Sequence, residues 1–178
     1  VNGKKDSITV TVPEVKAENL ILNKNITTIE KGDTETLKAT ILPETTTDDT
    51  TVVWSVNDEN IITVDENGVV TAVAPGTAIV TAKCGELEDT CTVTVISTLQ
   101  SIILNKNNIE LEAGTVSEAL IVTLNPSDAT VDSTEIKWES LNPTIATVDE
   151  NGIVTAVAPG TAIVRATLAG KSADCIVK

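Results

Sequence analysis

Few residue types in this chain can carry out acid–base, nucleophilic or metal chemistry. The 178 residues include 26 Asp and Glu, three Cys and two Trp, but no His, Tyr, Phe or Met. Without His, the commonest general base and the commonest metal ligand are both missing. Carboxylates, thiols and the two indoles are therefore the main candidates for catalysis, metal binding or ligand stacking.

The most conspicuous carboxylates lie in two acidic turns, Asp65-Glu66-Asn67 and Asp149-Glu150-Asn151. Their oxygens could hold Ca²⁺, but neither run has the 12-residue ligand spacing of an EF-hand, and turn formation explains the same residues. A glycosidase needs two carboxyl groups about 5–10 Å apart in one cleft, whereas these turns lie one in each half of the chain. We expect no metal site, no cofactor and no enzyme activity.

The three cysteines, Cys84, Cys91 and Cys175, leave two interpretations open. Cys84 and Cys91 could form a disulfide between neighbouring strands. However, the place of Cys91 is taken by Cys175 in the second half and by Ile8 near the N-terminus, as is typical of a small buried apolar site. We favour free buried thiols. A zinc site or a Cys nucleophile is disfavoured, because no His and no C-x-x-C pair is present.

The only aromatic residues are Trp54 and Trp138. Either could be a platform on which a sugar stacks, or a core residue packed between two sheets. Both lie in equivalent segments beside Val or Ile, and a binding platform usually needs several aromatic residues. We predict that both belong to the structural core.

The charge balance limits the possible partners. A formal net charge of −14, with only 12 Lys and Arg, disfavours nucleic acid and anionic membrane surfaces. The apolar runs are too short for insertion into a membrane, which takes about 20 residues. The chain begins at Val1 and contains no Met, and we interpret it as part of a longer protein.

An internal repeat organises the chain. Residues 63–80 read TVDENGVVTAVAPGTAIV and residues 147–164 read TVDENGIVTAVAPGTAIV, so that only Val69 against Ile153 differs. We predict two tandem domains, residues 17–96 and 97–178. Residues 1–16 are interpreted as the remnant strand of a preceding repeat or as a linker, because residues 7–12 resemble the last strand of the first repeat, residues 90–95.

Both repeats are predicted to be all-β. Apolar and small polar residues alternate with the period of two that indicates half-buried strands, and turn residues recur every 8–12 positions, which favours a sandwich. Asn67-Gly68 and Asn151-Gly152 are predicted to form type I′ hairpin turns, and Pro75-Gly76 and Pro159-Gly160 the next turns. The strands expected in the first domain are 18–22, 26–30, 35–42, 52–56, 61–64, 69–73, 77–84 and 90–96.

The segment from Val64 to Ala78, with Trp54-Ser55-Val56 upstream, resembles the hallmark of bacterial immunoglobulin-like domains of group 2. The second repeat matches through Trp138-Glu139-Ser140 and residues 148–162. The resemblance implies two tandem immunoglobulin-like β-sandwich domains of the kind found in bacterial surface proteins, secreted enzymes and some phage particles. It implies no catalytic residues.

The resulting expectation is a non-catalytic spacer module of a bacterial cell-surface or secreted protein, located outside the cell, whose partners are the neighbouring domains of its parent chain. Two alternatives remain open. One is an adhesin module that recognises a host protein or glycan, with the loop from Thr45 to Thr51 as the first place to look, because it differs most from its repeat equivalent, residues 127–134. The other is a decoration domain of a phage virion.

Overall fold

The protein is described by a computed structural model that covers residues 8, 10, 11 and 13–178. In the described residues it is almost entirely β-structure, with one short 3₁₀ helix at Ser133–Glu135, so the all-β prediction is confirmed. Contacts divide the chain into two compact units, with the boundary between Val95 and Ile96. Much of the predicted remnant strand at residues 7–12 lies outside the described residues.

Among its described residues, the first unit contains nine strands in three sheets. The strands are β1 (Asn19–Leu22), β2 (Ile26–Glu30), β3 (Thr34–Thr36), β4 (Ala39–Leu42), β5 (Val53–Val56), β6 (Ile62–Val64), β7 (Val69–Ala72), β8 (Gly76–Cys84) and β9 (Leu87–Ile96). A four-stranded sheet has the order β2-β9-β8-β5, a three-stranded sheet the order β3-β7-β6, and β1 pairs with β4.

The second unit, which the structure describes throughout, repeats this plan with eight strands. Its four-stranded sheet has the order β11-β17-β16-β13, β10 pairs with β12, and β14 pairs with β15. The strands are β10 (Ser101–Leu104), β11 (Asn108–Ile109), β12 (Val122–Asn125), β13 (Lys137–Ser140), β14 (Ala146–Val148), β15 (Val154–Ala156), β16 (Ala162–Leu168) and β17 (Lys171–Val177).

Each unit has its own aliphatic core. In β8 the residues of one parity, Ala78, Val80, Ala82 and Cys84, are buried, while Ile79 on the other parity is 40% exposed. The same alternation in the other sheets brings Leu, Ile and Val side chains into one cluster per unit. Burial of such a side chain contributes about 1.5–3 kcal/mol, so the period-two pattern of the sequence directly supplies the driving force for folding.

The strand predicted at residues 35–42 is wrong in one respect, because the structure divides it into β3 and β4. Leu37, between them, is 1% exposed, and its N–H donates to the carbonyl oxygen of Gly68 at 2.9 Å. The next N–H, that of Lys38, donates to the side-chain oxygen of Asn23 at 2.8 Å. These bonds replace ladder bonds at the point where the chain leaves the sheet of β7 and joins β1.

Candidate functional site

Each tryptophan packs on the glycine of an acidic turn. Trp54 lies on β5, an edge strand, and its partly buried indole contacts the core of the first unit. A Cβ atom built on Gly68 would lie only 2.7 Å from Cζ2 of Trp54 and 2.5 Å from the carbonyl oxygen of Leu37. Since Gly68 also has a φ of 76°, both the backbone conformation and the contact require glycine.

The second unit has the same contact. A Cβ atom on Gly152 would lie 2.7 Å from Cζ2 of Trp138 and 2.7 Å from the carbonyl oxygen of Leu120. The indoles are partly rather than fully buried, because each lies at the rim of its core beneath a turn. The face that meets the glycine is not accessible for stacking on a ligand.

The turns above the indoles differ from the predicted type I′ geometry. Gly68 has a positive φ but Asn67 does not. The Gly68 N–H donates to the Asp65 carbonyl at 3.1 Å, and the Asp65 N–H donates to the Val69 carbonyl at 3.1 Å. The hairpin therefore has a three-residue loop closed by a left-handed glycine. The type I′ prediction is wrong here and at Asn151-Gly152, where the Gly152 N–H donates to Asp149 in the same way.

The physical reason is the aspartate that opens each loop. One carboxylate oxygen of Asp65 accepts the N–H groups of Asn67 and Val69, both at 2.8 Å, and this side-chain turn favours a longer loop. Asp149 accepts from Asn151 and Ile153 at 2.9 and 2.8 Å. The bond from Val69 is the main cause that lowers the pKa of Asp65 below its ordinary value. Desolvation opposes the shift, and the bonds from Asn67 add to the lowering.

These bonds also bear on calcium binding. The Asp65 oxygen that accepts two backbone N–H groups is committed to the loop. Within the part of the chain that the structure describes, no three His, Cys, Asp or Glu side chains come together in a way that could hold a metal ion. In both acidic turns, one oxygen of the aspartate is therefore used for hydrogen bonds to backbone N–H groups of the turn.

The Pro75-Gly76 and Pro159-Gly160 turns direct the chain into the longest hairpin of each unit. Gly76 opens β8 and pairs with Val95 at the end of β9. A Cβ atom on Gly76 would lie 2.8 Å from Cδ1 of Ile61, and one on Gly160 would lie 2.9 Å from Cδ1 of Ile145. Glycine lets an isoleucine side chain cover the start of the strand in both units.

All three cysteines are free and buried. Cys84 pairs with Leu87, and Cys91 pairs with Val80, so the two thiols are not opposite each other in the hairpin. The Cys84 Sγ–H donates to the carbonyl oxygen of Asp49 at 3.2 Å. Burial raises the pKa of both Cys91 and Cys175, which keeps these thiols protonated and poorly nucleophilic.

The loop at residues 45–51, the candidate place for ligand binding, holds the segment that leads into β1. The N–H of Val15 donates to Oγ1 of Thr47 at 3.0 Å, and the N–H of Thr47 donates to the carbonyl of Val15 at 2.8 Å. The N–H of Ala17 donates to Oδ2 of Asp48 at 2.7 Å. We call this set of bonds the N-terminal clasp.

The second unit has an N-terminal clasp at the equivalent place. The N–H of Ser97 donates to Oγ1 of Thr130 at 3.1 Å, and the N–H of Thr130 donates to the carbonyl of Ser97 at 2.8 Å. The Ser97 hydroxyl donates to Oδ1 of Asp128 at 3.2 Å, and Ser97 is 3% exposed. Sequence reasoning missed the clasps, and the one available signal was a Thr and an Asp recurring in both loops.

A partly buried ion pair distinguishes the first unit from the second. Lys24 binds Glu35, which also accepts the hydroxyl of Thr27. The bond from Lys24, and next that from Thr27, lowers the pKa of Glu35. In the second unit Lys106 Nζ lies 3.2 Å from Glu118 Oε2, but the Glu118 side chain is 87% exposed, so that pair contributes little.

One concave feature of the second unit is a cavity of about 240 Å³ near Pro159 and Gly160, with Ile145 and Val177 in its wall. Its wall is mostly aliphatic and continuous with the core. In the first unit the equivalent place, opposite Gly76, is occupied by Val95, which is 1% exposed. The wall of the cavity also includes Lys178, its one charged residue.

Among the described residues, no helix is long and apolar enough to cross a membrane. Comparison with known proteins identifies a family for both units. A family model described as bacterial Ig-like domain (group 2) matches residues 16–95 and again residues 98–177. The two matches together span most of the chain.

Curated relatives are much longer than this chain. An uncharacterised protein of Clostridium acetobutylicum is 32% identical over 155 residues, which is 85% of this chain and 16% of that protein. Ice-binding protein 1 of Shewanella frigidimarina is 29% identical over 124 residues, 68% of this chain and 14% of that protein. The chain thus spans about a sixth of the length of these relatives.

Two solved structures align with most of this chain. The N-terminal four Ig domains of Dscam1 isoform 4.4 align with 92% of this chain and 47% of that chain, with a TM-score of 0.58 and 11% identity. Domains 1–6 of the surface layer protein SbsC align with 93% of this chain and 28% of that chain, with a TM-score of 0.43 and 22% identity. The first of these likenesses supports the immunoglobulin-like fold, and only the fold.

Proposed function

Since the chain belongs to the family of bacterial Ig-like domains, group 2, we propose that it is a non-catalytic structural spacer in a bacterial cell-surface or secreted protein. In this role it presents other domains of its parent chain, which are its partners, outside the cell. The predicted resemblance and the tandem immunoglobulin-like fold are confirmed by the family match over both units.

One observation carries the proposal: the side chains that could do chemistry are used in both units for the same structural purposes. Each indole covers a glycine, each turn aspartate closes its own loop, and the thiols of Cys91 and Cys175 are fully buried. Duplicated use of this kind is what two copies of a scaffold need, because each must fold around its own core. A catalytic centre would need reactive groups left free within reach of a substrate.

The ligand-binding alternative loses its leading candidate. The loop at residues 45–51 makes the N-terminal clasp with Val15 and Ala17, and its Asp49 accepts both the N–H and the hydroxyl of Thr51. The equivalent loop, residues 127–134, uses an aspartate in the same way, because Asp132 accepts both the N–H and the hydroxyl of Thr134. These bonds are a structural feature that the two units share. Binding of a host protein or glycan is tested directly by the array measurement described below.

A surface-display experiment tests the spacer role. A reporter that captures an antigen is displayed on bacteria with no copy, one copy or two tandem copies of the whole chain between it and the cell wall. We expect capture of antigen-coated beads through the surface polysaccharide to rise with copy number, and the soluble chain to show no saturable binding to arrays of glycans and matrix proteins. Capture that is unchanged by copy number, or saturable binding by the chain, would overturn the proposal.

A further inference from the structure

In each unit the second strand along the chain lies beside the last strand. In the second unit β11 and β17 run parallel, with Ile109 opposite Val177. The backbone bonds that join these segments include Ile176 N–H to the Asn107 carbonyl at 3.0 Å, Lys178 N–H to the Ile109 carbonyl at 3.0 Å, and Leu111 N–H to the Lys178 carbonyl at 2.9 Å. We call β11 and β17 the terminal-strand pair.

Parallel pairing decides how a stretching force acts on these bonds. In a parallel pair, the start of one strand and the end of the other lie at opposite ends. Tension applied before β11 and after β17 therefore pulls the two strands past each other along their axes. The bonds between them are loaded together, whereas the bonds of a hairpin pulled open at its ends break one after another.

The surroundings of the terminal-strand pair support it against such a force. Ile109 is 8% exposed and Val177 is 2% exposed, so water has little access to replace the breaking bonds from the core side. On its other edge β17 is held by β16 in a register of seven residue pairs. Arg165 on β16 also donates two hydrogen bonds to the Asp174 carboxylate of β17, at 2.7 and 2.8 Å.

The first unit has the corresponding arrangement. Its β2 lies beside β9 at the edge of the four-stranded sheet. The N–H of Thr92 donates to the carbonyl of Asn25 at 2.9 Å, as that of Ile176 does to Asn107. Domains linked in series all bear the same force, and the least resistant one unfolds first. Resistance to tension is therefore useful only if every unit has it.

We propose that the terminal-strand pair in the second unit, and the neighbouring strands β2 and β9 in the first unit, make each unit resistant to tension, so that the chain transmits a pulling force between its neighbouring domains without unfolding. This deepens the proposed spacer function and rests on it for its biological setting. The force resistance itself is a property of the isolated chain. The display experiment tests the spacer role and the force measurement tests mechanical resistance, so either hypothesis can be wrong while the other holds.

Single-molecule force spectroscopy on the full chain, held between handle domains at its two ends, tests the proposal. Lys178→Pro removes the N–H that donates to the carbonyl of Ile109, at a position where the side chain is exposed. We expect the peak unfolding force of the second unit to fall by about one third, since one of a few bonds that share the load is lost. The first unit should unfold at its original force and serves as the internal control.

Two matched variants separate mechanical from thermodynamic effects. Lys178→Ala keeps the N–H and should leave both forces unchanged. Val154→Ala opens a cavity at a residue that is 0% exposed and lies outside the terminal-strand pair. It should lower the thermal midpoint of the second unit and change the unfolding force of that unit less than Lys178→Pro does. If Val154→Ala lowers the force as much as Lys178→Pro, or if Lys178→Pro has no effect, the proposal is wrong.

The direction of pulling gives a test that requires no destabilising change. Lys171→Cys places an exposed thiol at the start of β17, to which the second handle is attached in place of the C-terminal one. Tension between the N-terminal handle and this point opens the β11–β17 contact from one end. We expect a clearly lower unfolding force for the second unit in this geometry, and equal forces in the two geometries would contradict the proposal.

Discussion

Single residues in this protein are constrained most strongly where an indole meets a turn. Gly68 combines a left-handed backbone with contacts that leave no room for a methyl group, and Gly152 does the same in the second unit. Gly85 has a similar φ of 59°, but a methyl group there would meet no other atom within 4 Å. These two kinds of glycine allow steric and conformational costs to be separated.

We expect Gly68→Ala to lower the free energy of unfolding of the first unit by about 3 kcal/mol, because left-handed strain adds to the clash with Trp54. Gly85→Ala should cost only about 1 kcal/mol, from the left-handed backbone alone. Urea unfolding followed by tryptophan fluorescence measures both. Equal costs for the two substitutions would show that the indole contact does not constrain Gly68.

The turn aspartate predicts a pH dependence. The pKa of Asp65 is lowered in the folded protein, so its ionised form adds stability above its unfolded value of about 4, and this stability is lost as the pH falls through the lower folded value. Asp65→Asn should therefore be less stable than the unchanged protein at pH 7, and the difference should shrink below about pH 4. Thermal midpoints measured from pH 7 to about pH 2.5 test this; a constant difference would contradict it.

At the scale of elements, the important feature is how one segment is attached to another over a long sequence distance. Residues 35–42 have the alternation of one strand, yet Leu37 turns inward and its N–H bonds to Gly68, so the segment serves two sheets. The N-terminal clasps likewise depend on loops more than 30 residues further along the chain. The clasps bind the segment before the first strand of each unit to a distant loop.

The clasp of the second unit can be weakened with little change in shape. Thr130→Val removes the hydroxyl that accepts from Ser97 N–H and donates to the Ser97 carbonyl. Because Ser97 is 3% exposed, we expect a loss of about 1–2 kcal/mol in the stability of the second unit. The amide of Ser97 should exchange faster with deuterium.

Thr123→Val is the matched control for this substitution, because Thr123 lies at an exposed position of β12. It makes the same chemical change away from the clasp, and we expect a change within about 0.5 kcal/mol. If Thr123→Val destabilises the second unit as much as Thr130→Val, the clasp has no special role.

At the scale of the whole molecule, the two units have separate cores and should unfold as separate cooperative units. Val80 and Val164 are repeat equivalents, and both are 0% exposed. Val80→Ala should destabilise the first unit by about 2 kcal/mol and leave the second unchanged, and Val164→Ala should do the reverse. Hydrogen exchange resolved by residue measures this. Loss of protection in both units from either substitution would indicate one shared core.

What the sequence determined by itself was the pattern that repeats over short distances. Strict alternation identified the buried parity of β8 and β9, and near identity of residues 63–80 and 147–164 identified the two copies. Both signals are local. Successive side chains of a strand point to opposite faces of the sheet, so the buried face can be assigned without knowing which strand lies beside it. The all-β class and the family followed from these signals.

Features that depend on contacts between distant residues became visible in the folded structure. The packing of Trp54 on Gly68, the division at Leu37, the clasps and the parallel terminal-strand pair all arise from such contacts. The three-residue loop that replaced the expected type I′ turn is instead local, because Asp65 accepts two backbone N–H groups of its own loop. Hydrogen bonds that join segments about 30 or more residues apart have no period along the chain, and only the folded backbone brings their donors and acceptors together.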